Sequence, residues 1–264
     1  MKNNQNIRGR RSVGGNQPVS APPISGPQLS ASDSRHAFTL IELLVVISII
    51  AVLAAFTIPV VKTVARKKIL DRTRAEMEQV ATAIDRYKAA YGFYPPSNPL
   101  YPNTDVYDAM FSPLYYELLG TTNINSGGPA SPAYQTLDNS GVVPLAAANV
   151  LAAFGVGGLL NCSKGGSGED APSARNFLPD LKPSQFNSAT NNSVLATVFV
   201  ASVGGPDQNY RPFHGTPNFN PWRYVNPGVN NPTSYDLWVQ LVISGRTNLI
   251  CNWSKQVQLN SPLP

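Results

Sequence analysis

The chain has 264 residues, a formal net charge of +5, 13% charged residues, 24 prolines and 20 glycines. Lys2, Arg8, Arg10, Arg11 and Arg35 stand against Asp33 in the first 37 residues, so the remainder is close to neutral and its charge does not point to a nucleic-acid partner. With 42% hydrophobic residues the chain is not disordered by composition, and its richness in Pro and Gly suits a loop-rich extracytoplasmic domain better than a helical enzyme.

Residues 1–34 are rich in Asn, Gly, Pro and Ser with scattered Arg, and read as a disordered leader. A secretory signal peptide is the rival reading, but its apolar core runs about 7–15 residues and ends at a cleavage site. Here the apolar run is Phe38 to Val61, 24 residues with Glu42 as its one charge, and it leads straight into further helix. About 20 apolar residues cross a bilayer as a helix, so 38–61 reads as a transmembrane segment. A carboxylate inside such a run costs roughly 2.5–3.5 kcal/mol and marks function. Pro59 removes one backbone hydrogen bond near the end of the run, so a kink is expected there. Lys62, Arg66, Lys67 and Lys68 follow closely, so basic residues flank the run on both sides and do not set its orientation. They read as a solvated helix face or as partners of lipid headgroups.

From residue 62 to 92 the pattern becomes amphipathic, with Met77, Val80, Ala81, Ile84, Tyr87 and Tyr91 on one face. A helix over Phe38–Tyr91 would be about 80 Å long at 1.5 Å per residue. A domain of this size cannot bury it, so lipid or other copies of the chain must wrap its first half. Gly92 ends the helix and Pro95-Pro96 prevents its return. Residues 93–193 read as a loop-rich insertion with short helices, one of them within Val106–Gly120. The apolar run Val142–Leu160 reads as a buried helix and turn, or as a second span. Lys164–Asp170 lacks the ending of a phosphate loop and reads as a plain loop. From 194 to 264 the signal is strand: Val194–Val203, Trp222–Val225, Tyr235–Ile243 and Leu249–Val257, the last two joined by a five-residue loop. The fold class is α+β, a long N-terminal helix packed on a small C-terminal antiparallel sheet.

Cys162 and Cys251 permit one disulfide in an oxidising compartment or stand as two buried thiols. His36 and His214 are the only histidines, which excludes a multi-histidine metal site. Asp207 and Asp236 read as turn and strand-edge groups. No constellation for catalysis is found, so no catalytic residue and no metal ligand is assigned. Tyr101, Tyr107, Tyr115 and Tyr116 offer aromatic faces to a sugar if exposed, and core packing if buried.

The string from Ala37 through Phe38 to Pro59 resembles the processing site and first helix of the type IV pilin and pseudopilin family. The resemblance implies that a prepilin peptidase cuts between Ala37 and Phe38 and methylates the new amino terminus, with Glu42 as the fifth mature residue. Arg86–Pro96, Asn220-Pro221-Trp222 with Tyr224, Ser234–Trp238 and Asn252-Trp253 resemble segments of the major pseudopilins of type II secretion. There a loop between the last two motifs holds Ca²⁺; here residues 240–249 contain no Asp or Glu, so no cofactor is expected. The resemblance implies an inner-membrane subunit with a periplasmic C-terminal domain that joins a periplasmic filament. Its partners would be copies of itself and other pseudopilins, the peptidase and an inner-membrane assembly platform, with no nucleic acid. The alternatives are a minor type IV pilin for adhesion, motility or DNA uptake, and an uncleaved membrane-anchored periplasmic binding protein.

Overall fold

Between Leu40 and Tyr91 only Pro59 opposes a helix, and α1 (Leu40–Tyr91) runs for 52 residues. The computed structural model describes residues 38–99, 109–125, 132–140, 144–163, 173–203, 219–243 and 245–260, and the side chains of 57–62 lie outside that set. The leader 1–37, with Ala37, therefore lies outside the described residues, as do Tyr101, Tyr107, Asp207 and His214. So does the side chain of Pro59, through which α1 continues as helix.

The chain divides into two units, residues 1–53 and 54–264. In the first, every described side chain from Phe38 onward is exposed, including Leu40, Ile41, Leu43 and Ile50. Among the described residues no helix is long and apolar enough to cross a membrane. The span expected over Phe38–Val61 runs on into residues 57–62, whose side chains are not described.

In the second unit the α1 periodicity takes effect. Thr73, Met77, Val80, Ile84 and Tyr87 recur at helical spacing and are buried, while Glu78, Asp85 and Lys88 are exposed. Gly92 takes φ +84°, and its N–H donates to the Lys88 carbonyl at 2.7 Å, closing the helix as a left-handed cap.

That face meets a four-stranded antiparallel sheet of β7 (Arg223–Val225), β8 (Asp236–Ile243), β9 (Arg246–Cys251) and β10 (Ser254–Leu259) in the order β10-β9-β8-β7. Leu237, Val239 and Leu241 alternate along β8 and join Ile250 and the α1 residues in one core. Arg66 donates to the Asn248 side chain at 3.0 Å and Arg74 to the Lys255 carbonyl at 2.7 Å. Arg66, from the basic stretch after the apolar run, is thus turned onto the sheet together with Arg74, and Lys67 and Lys68 stay at the surface.

The final strands differ from the expectation. Ile243 pairs with Arg246, so the β8–β9 connection is two residues rather than five. Gly245 there adopts φ +71°, which a tight hairpin needs. The strand expected over Leu249–Val257 is broken at Asn252-Trp253, and β10 folds back on β9. A single run of β propensity hides a turn that side-chain hydrogen bonds create, and the turn leaves no local composition signal.

Strand structure also begins earlier than 194. β5 (Phe186–Asn191) pairs with β6 (Val194–Phe199) through Asn192 and Ser193, both at positive φ (46° and 65°), as a primed hairpin turn requires. The polar run FNSATN carries little strand propensity, so pairing rather than composition makes it a strand. Val200 bridges Pro221 and links this hairpin to the start of β7.

Residues 93–193, where described, form short elements joined by turns and loops. They hold α2 (Leu114–Leu119) and a second sheet of β1 (Thr121–Asn125), β2 (Pro132–Thr136), β3 (Leu145–Ala146) and β4 (Cys162–Ser163), in the order β3-β2-β1-β4. The run Val142–Leu160 contains β3, a 3-10 turn and α3 (Val150–Phe154), which buries Val150, Ala153 and Phe154 and ends on Gly155 at φ +70°. It is a helix and turn, not a span. Tyr115 and Tyr116 are buried, so neither presents a face to a ligand.

Glu117 pins this part to α1. Its fully buried carboxylate accepts from the Leu160 N–H (2.7 Å), the Asn161 N–H (2.9 Å) and the Tyr87 hydroxyl (2.9 Å). Burial pushes the Glu117 carboxyl above its usual range, against the pull of these donors. A folded-state pKa above the unfolded one means the folded chain holds the proton longer, so stability falls as pH rises through the window above the free-carboxyl value. Thermal unfolding from pH 4 to 8 should show that decline, and Glu117→Gln should remove most of it. Glu117→Ala leaves two buried donors and one part-buried donor unpaired and should cost about 3 kcal/mol.

Candidate functional site

The expected processing site lies at the head of α1. Phe38 is exposed and not helical, Thr39 is not helical, and the first helical residue is Leu40. The start is set by a reciprocal pair. The Glu42 N–H donates to Thr39 Oγ1 at 3.3 Å, and the Thr39 N–H donates to the Glu42 carboxylate at 2.8 Å. The Thr39 hydroxyl also donates to that carboxylate, at 2.8 Å. This is a capping box, Thr39 at the N-cap and Glu42 three residues on. It satisfies N–H groups that an apolar helix start leaves bare. The signal, Thr-x-x-Glu ahead of an apolar run, is legible in the sequence, but taking Glu42 only as a charge misses it.

The other motifs converge in the second unit. Pro95, in the turn after α1, offers its carbonyl to the Tyr224 hydroxyl (2.8 Å) and the Asn226 side chain (3.2 Å). Tyr94 packs edge-on to Tyr235 at 5.1 Å, accepts from Ser234 at 3.0 Å, and carries the Lys88 ammonium 4.0 Å above its ring. The hydrogen bond from Ser234 and the Lys88 ammonium hold the Tyr94 hydroxyl below its usual pKa. Asn252 closes the cluster. Its carbonyl oxygen accepts from the Leu237 N–H at 3.0 Å, its amide donates to the Tyr235 carbonyl at 2.9 Å, and Trp253 packs edge-on to Trp238 at 5.8 Å. The segments 86–96, 220–224, 234–238 and 252–253 therefore form one lock joining the end of α1 to the last sheet.

Asp236 is part of that lock. Its buried carboxylate accepts from the Asn230 N–H (2.7 Å), the Asn231 N–H (3.0 Å) and the Asn230 side chain (3.1 Å). It is a loop anchor, as a strand-edge acid would be. Cys162 on β4 is half-buried, and Cys251 is buried and ends β9 in the other sheet. Burial pushes the Cys251 thiol up. Among the described residues no three of His, Cys, Asp and Glu come together as a metal site.

A Cβ on Gly228 would stand 2.6 Å from an Asp236 carboxylate oxygen and 2.9 Å from its backbone nitrogen. Gly228→Ala should therefore destabilise, and Asp236→Ala, which frees three donors, should cost about 3 kcal/mol. Thermal unfolding of the detergent-solubilised chain checks both. A loss below about 0.5 kcal/mol for Asp236→Ala, the range of an ordinary surface change, would contradict the anchor role.

No curated protein matches the chain, and no solved structure matches it. A family model does: the prokaryotic N-terminal methylation motif matches residues 33–58, which bracket Ala37, Phe38, the capping box and most of the exposed apolar stretch. That motif is the signal of type IV pilins and pseudopilins, and this chain carries it.

Proposed function

We propose that the chain is a structural subunit rather than an enzyme, cleaved and N-methylated at Phe38 and built into a type II secretion pseudopilus. The observation that carries this is the methylation motif at residues 33–58, set on a helix whose described side chains are exposed and largely apolar from Phe38 to Phe56. Apolar surface contributes about 25 cal/mol per Å² when covered, so such a stretch needs a non-aqueous partner. Lipid of the inner membrane covers it first, with the C-terminal domain in the periplasm. Neighbouring subunits then replace the lipid, and a head-to-tail contact that does not close propagates as a filament. The assembly platform and other pseudopilins are the further partners.

Glu42 supplies the register. Cleavage creates a new amine at Phe38, and the carboxylate of an adjacent copy neutralises it where either charge alone is costly. The pseudopilus is favoured over a pilus by the C-terminal lock, whose Tyr-Asp-Leu-Trp and Asn-Trp segments resemble those of major pseudopilins. No Asp or Glu lies in 240–249 to hold Ca²⁺, and the subunit is proposed to work without a metal.

The first test is the intact mass and N-terminal sequence of the protein from its native membrane. A chain that begins at Phe38 and carries one added methyl group is expected. A chain still intact at Met1, in cells that process other prepilins, would favour the permanently anchored binding protein instead. The second test is Glu42→Gln, which keeps a hydrogen-bonding side chain at the third helical position and removes the charge. Cleavage should continue and filament assembly should fall at least tenfold. Normal filaments from that variant would refute the register role.

A further inference from the structure

The cations that follow the apolar run are not alone at their level of α1. Arg66 donates to the Asn248 side chain at 3.0 Å, and Arg74, further along the helix, donates to the Lys255 carbonyl at 2.7 Å. Between β9 and β10, Asn248 pairs with Leu259 and Cys251 with Ser254. Going back along α1 from Arg74 to Arg66 therefore means going back along β9 toward the β8–β9 hairpin. Arg246, at the tip of that hairpin, comes two residues before Asn248. It lies about 7 Å further toward the apolar run, at about 3.3 Å per strand residue. On the helix that is about four or five residues before Arg66, where the apolar run ends.

What gathers at this level is basic. Lys67, Lys68 and Arg246 are exposed. Asp71 is the only acid between residues 60 and 75, and no acid follows Asp236 in the chain. Arg66 is half-buried with a neutral amide oxygen as its partner, its buried Nε has no acceptor, and among the described residues no acid pairs with it. Lys67 and Lys68 stand about 100° apart around α1, and Arg246 is carried by another element. These cations share no single face, but they share a level. A soluble anion or an acidic protein surface needs a common face, whereas a bilayer surface cuts across the helix and needs only a common depth. Helix side chains lean toward the helix N-terminus, which turns both lysines back toward the apolar run. Leu259, paired with Asn248 and 48% exposed, puts an apolar side chain at the same level.

We propose that Lys67, Lys68 and Arg246 form one surface that holds the anionic headgroups of phospholipids in the bilayer covering the apolar stretch. This role rests on the reading of the chain as a membrane-anchored subunit. Each Lys or Arg near an anionic bilayer favours its binding about fivefold. The attraction fades over about 8 Å at physiological salt. The backbone of Lys67 stands about 9 Å past the end of the run, within reach once its side chain is extended, and Arg246 stands nearer. The surface holds the hairpin tip to the bilayer until the subunit leaves it.

The test reconstitutes the full chain into vesicles of phosphatidylcholine and phosphatidylglycerol in equal amounts, extracts it in mild detergent and counts the retained lipids by native mass spectrometry. The native chain should prefer phosphatidylglycerol at least about tenfold. Arg246→Gln should lower that preference about fivefold, and joining it to Lys67→Gln and Lys68→Gln should lower it at least about tenfold. Lys255→Gln removes the same charge from the other end of β10 and should leave the preference within about twofold. An equal loss from Lys255→Gln and Arg246→Gln would mean that net charge alone acts, and would overturn the surface. A preference that survives the triple change would place the lipid elsewhere and overturn it too. So would loss of the lipid to inorganic phosphate but not to chloride at the same ionic strength, the behaviour of a site for a free anion. Equal retention of both lipids by the native chain would leave these cations to an acidic protein surface, and would also overturn the proposal. A chain that neither floats with the vesicles nor retains either lipid would instead overturn the membrane-anchored reading on which this role rests.

Discussion

Exposed apolar surface that the chain's own core does not cover is the constraint on which everything else depends. From Phe38 to Phe56 each described side chain faces outward, and Leu40, Ile41, Leu53 and Phe56 are among the most exposed hydrophobic residues of the protein. In water such a face is unfavourable in proportion to its area. The same helix, from residue 66 onward, carries the opposite design. Arg66 and Arg74 reach to the sheet, and Met77, Val80, Ile84 and Tyr87 sit in the core. One helix is thus written for two solvents, and the change comes where the basic residues begin.

Polar groups do the joining in the folded unit. Glu76 accepts from the Ser202 N–H and hydroxyl and pairs with Arg72, so a buried acid on α1 ties the helix to the segment after β6. Glu117 ties Tyr87 to the loop before β4, and Asp236 holds the loop before β8. Each is an acceptor surrounded by donors. Each can be buried because its lone pairs are used, and each is costly to remove for the same reason. The aromatic residues around Tyr87, Tyr94 and Tyr235 fill the space between these anchors and fix how the turn after α1 meets the last sheet.

Thr39 and Glu42 shape the head of α1. They complete each other's hydrogen bonds and so cap the helix start. In the function proposed above, cutting before Phe38 would place a cation about one helical turn ahead of the Glu42 carboxylate, in surroundings where a charge needs a partner. That change would be local, and it would add one half of a charge pair to a helix cap.

Much of this is legible in the residues alone. Apolar length, a lone acid at Glu42, helical periodicity from Met77 to Tyr91 and the Gly92 stop depend on local sequence, because a helix satisfies its backbone within itself and displays its solvent through its side chains. The strand runs of β6 and β8 are equally local, since β-branched and aromatic residues crowd there. Pairings across distance are not legible in this way. β5 is a strand because β6 lies beside it, the break at Asn252 exists because its side chain bonds to Leu237 and Tyr235, and the second sheet within 93–193 joins segments of weak propensity. The buried acids are equally hidden, for a carboxylate reveals its burial only through donors brought from elsewhere in the chain. The sequence by itself determined the helix, its apolar face and its processing signal; the tertiary structure alone decided which strands pair and which acids are buried, because those depend on contacts between residues far apart along the chain.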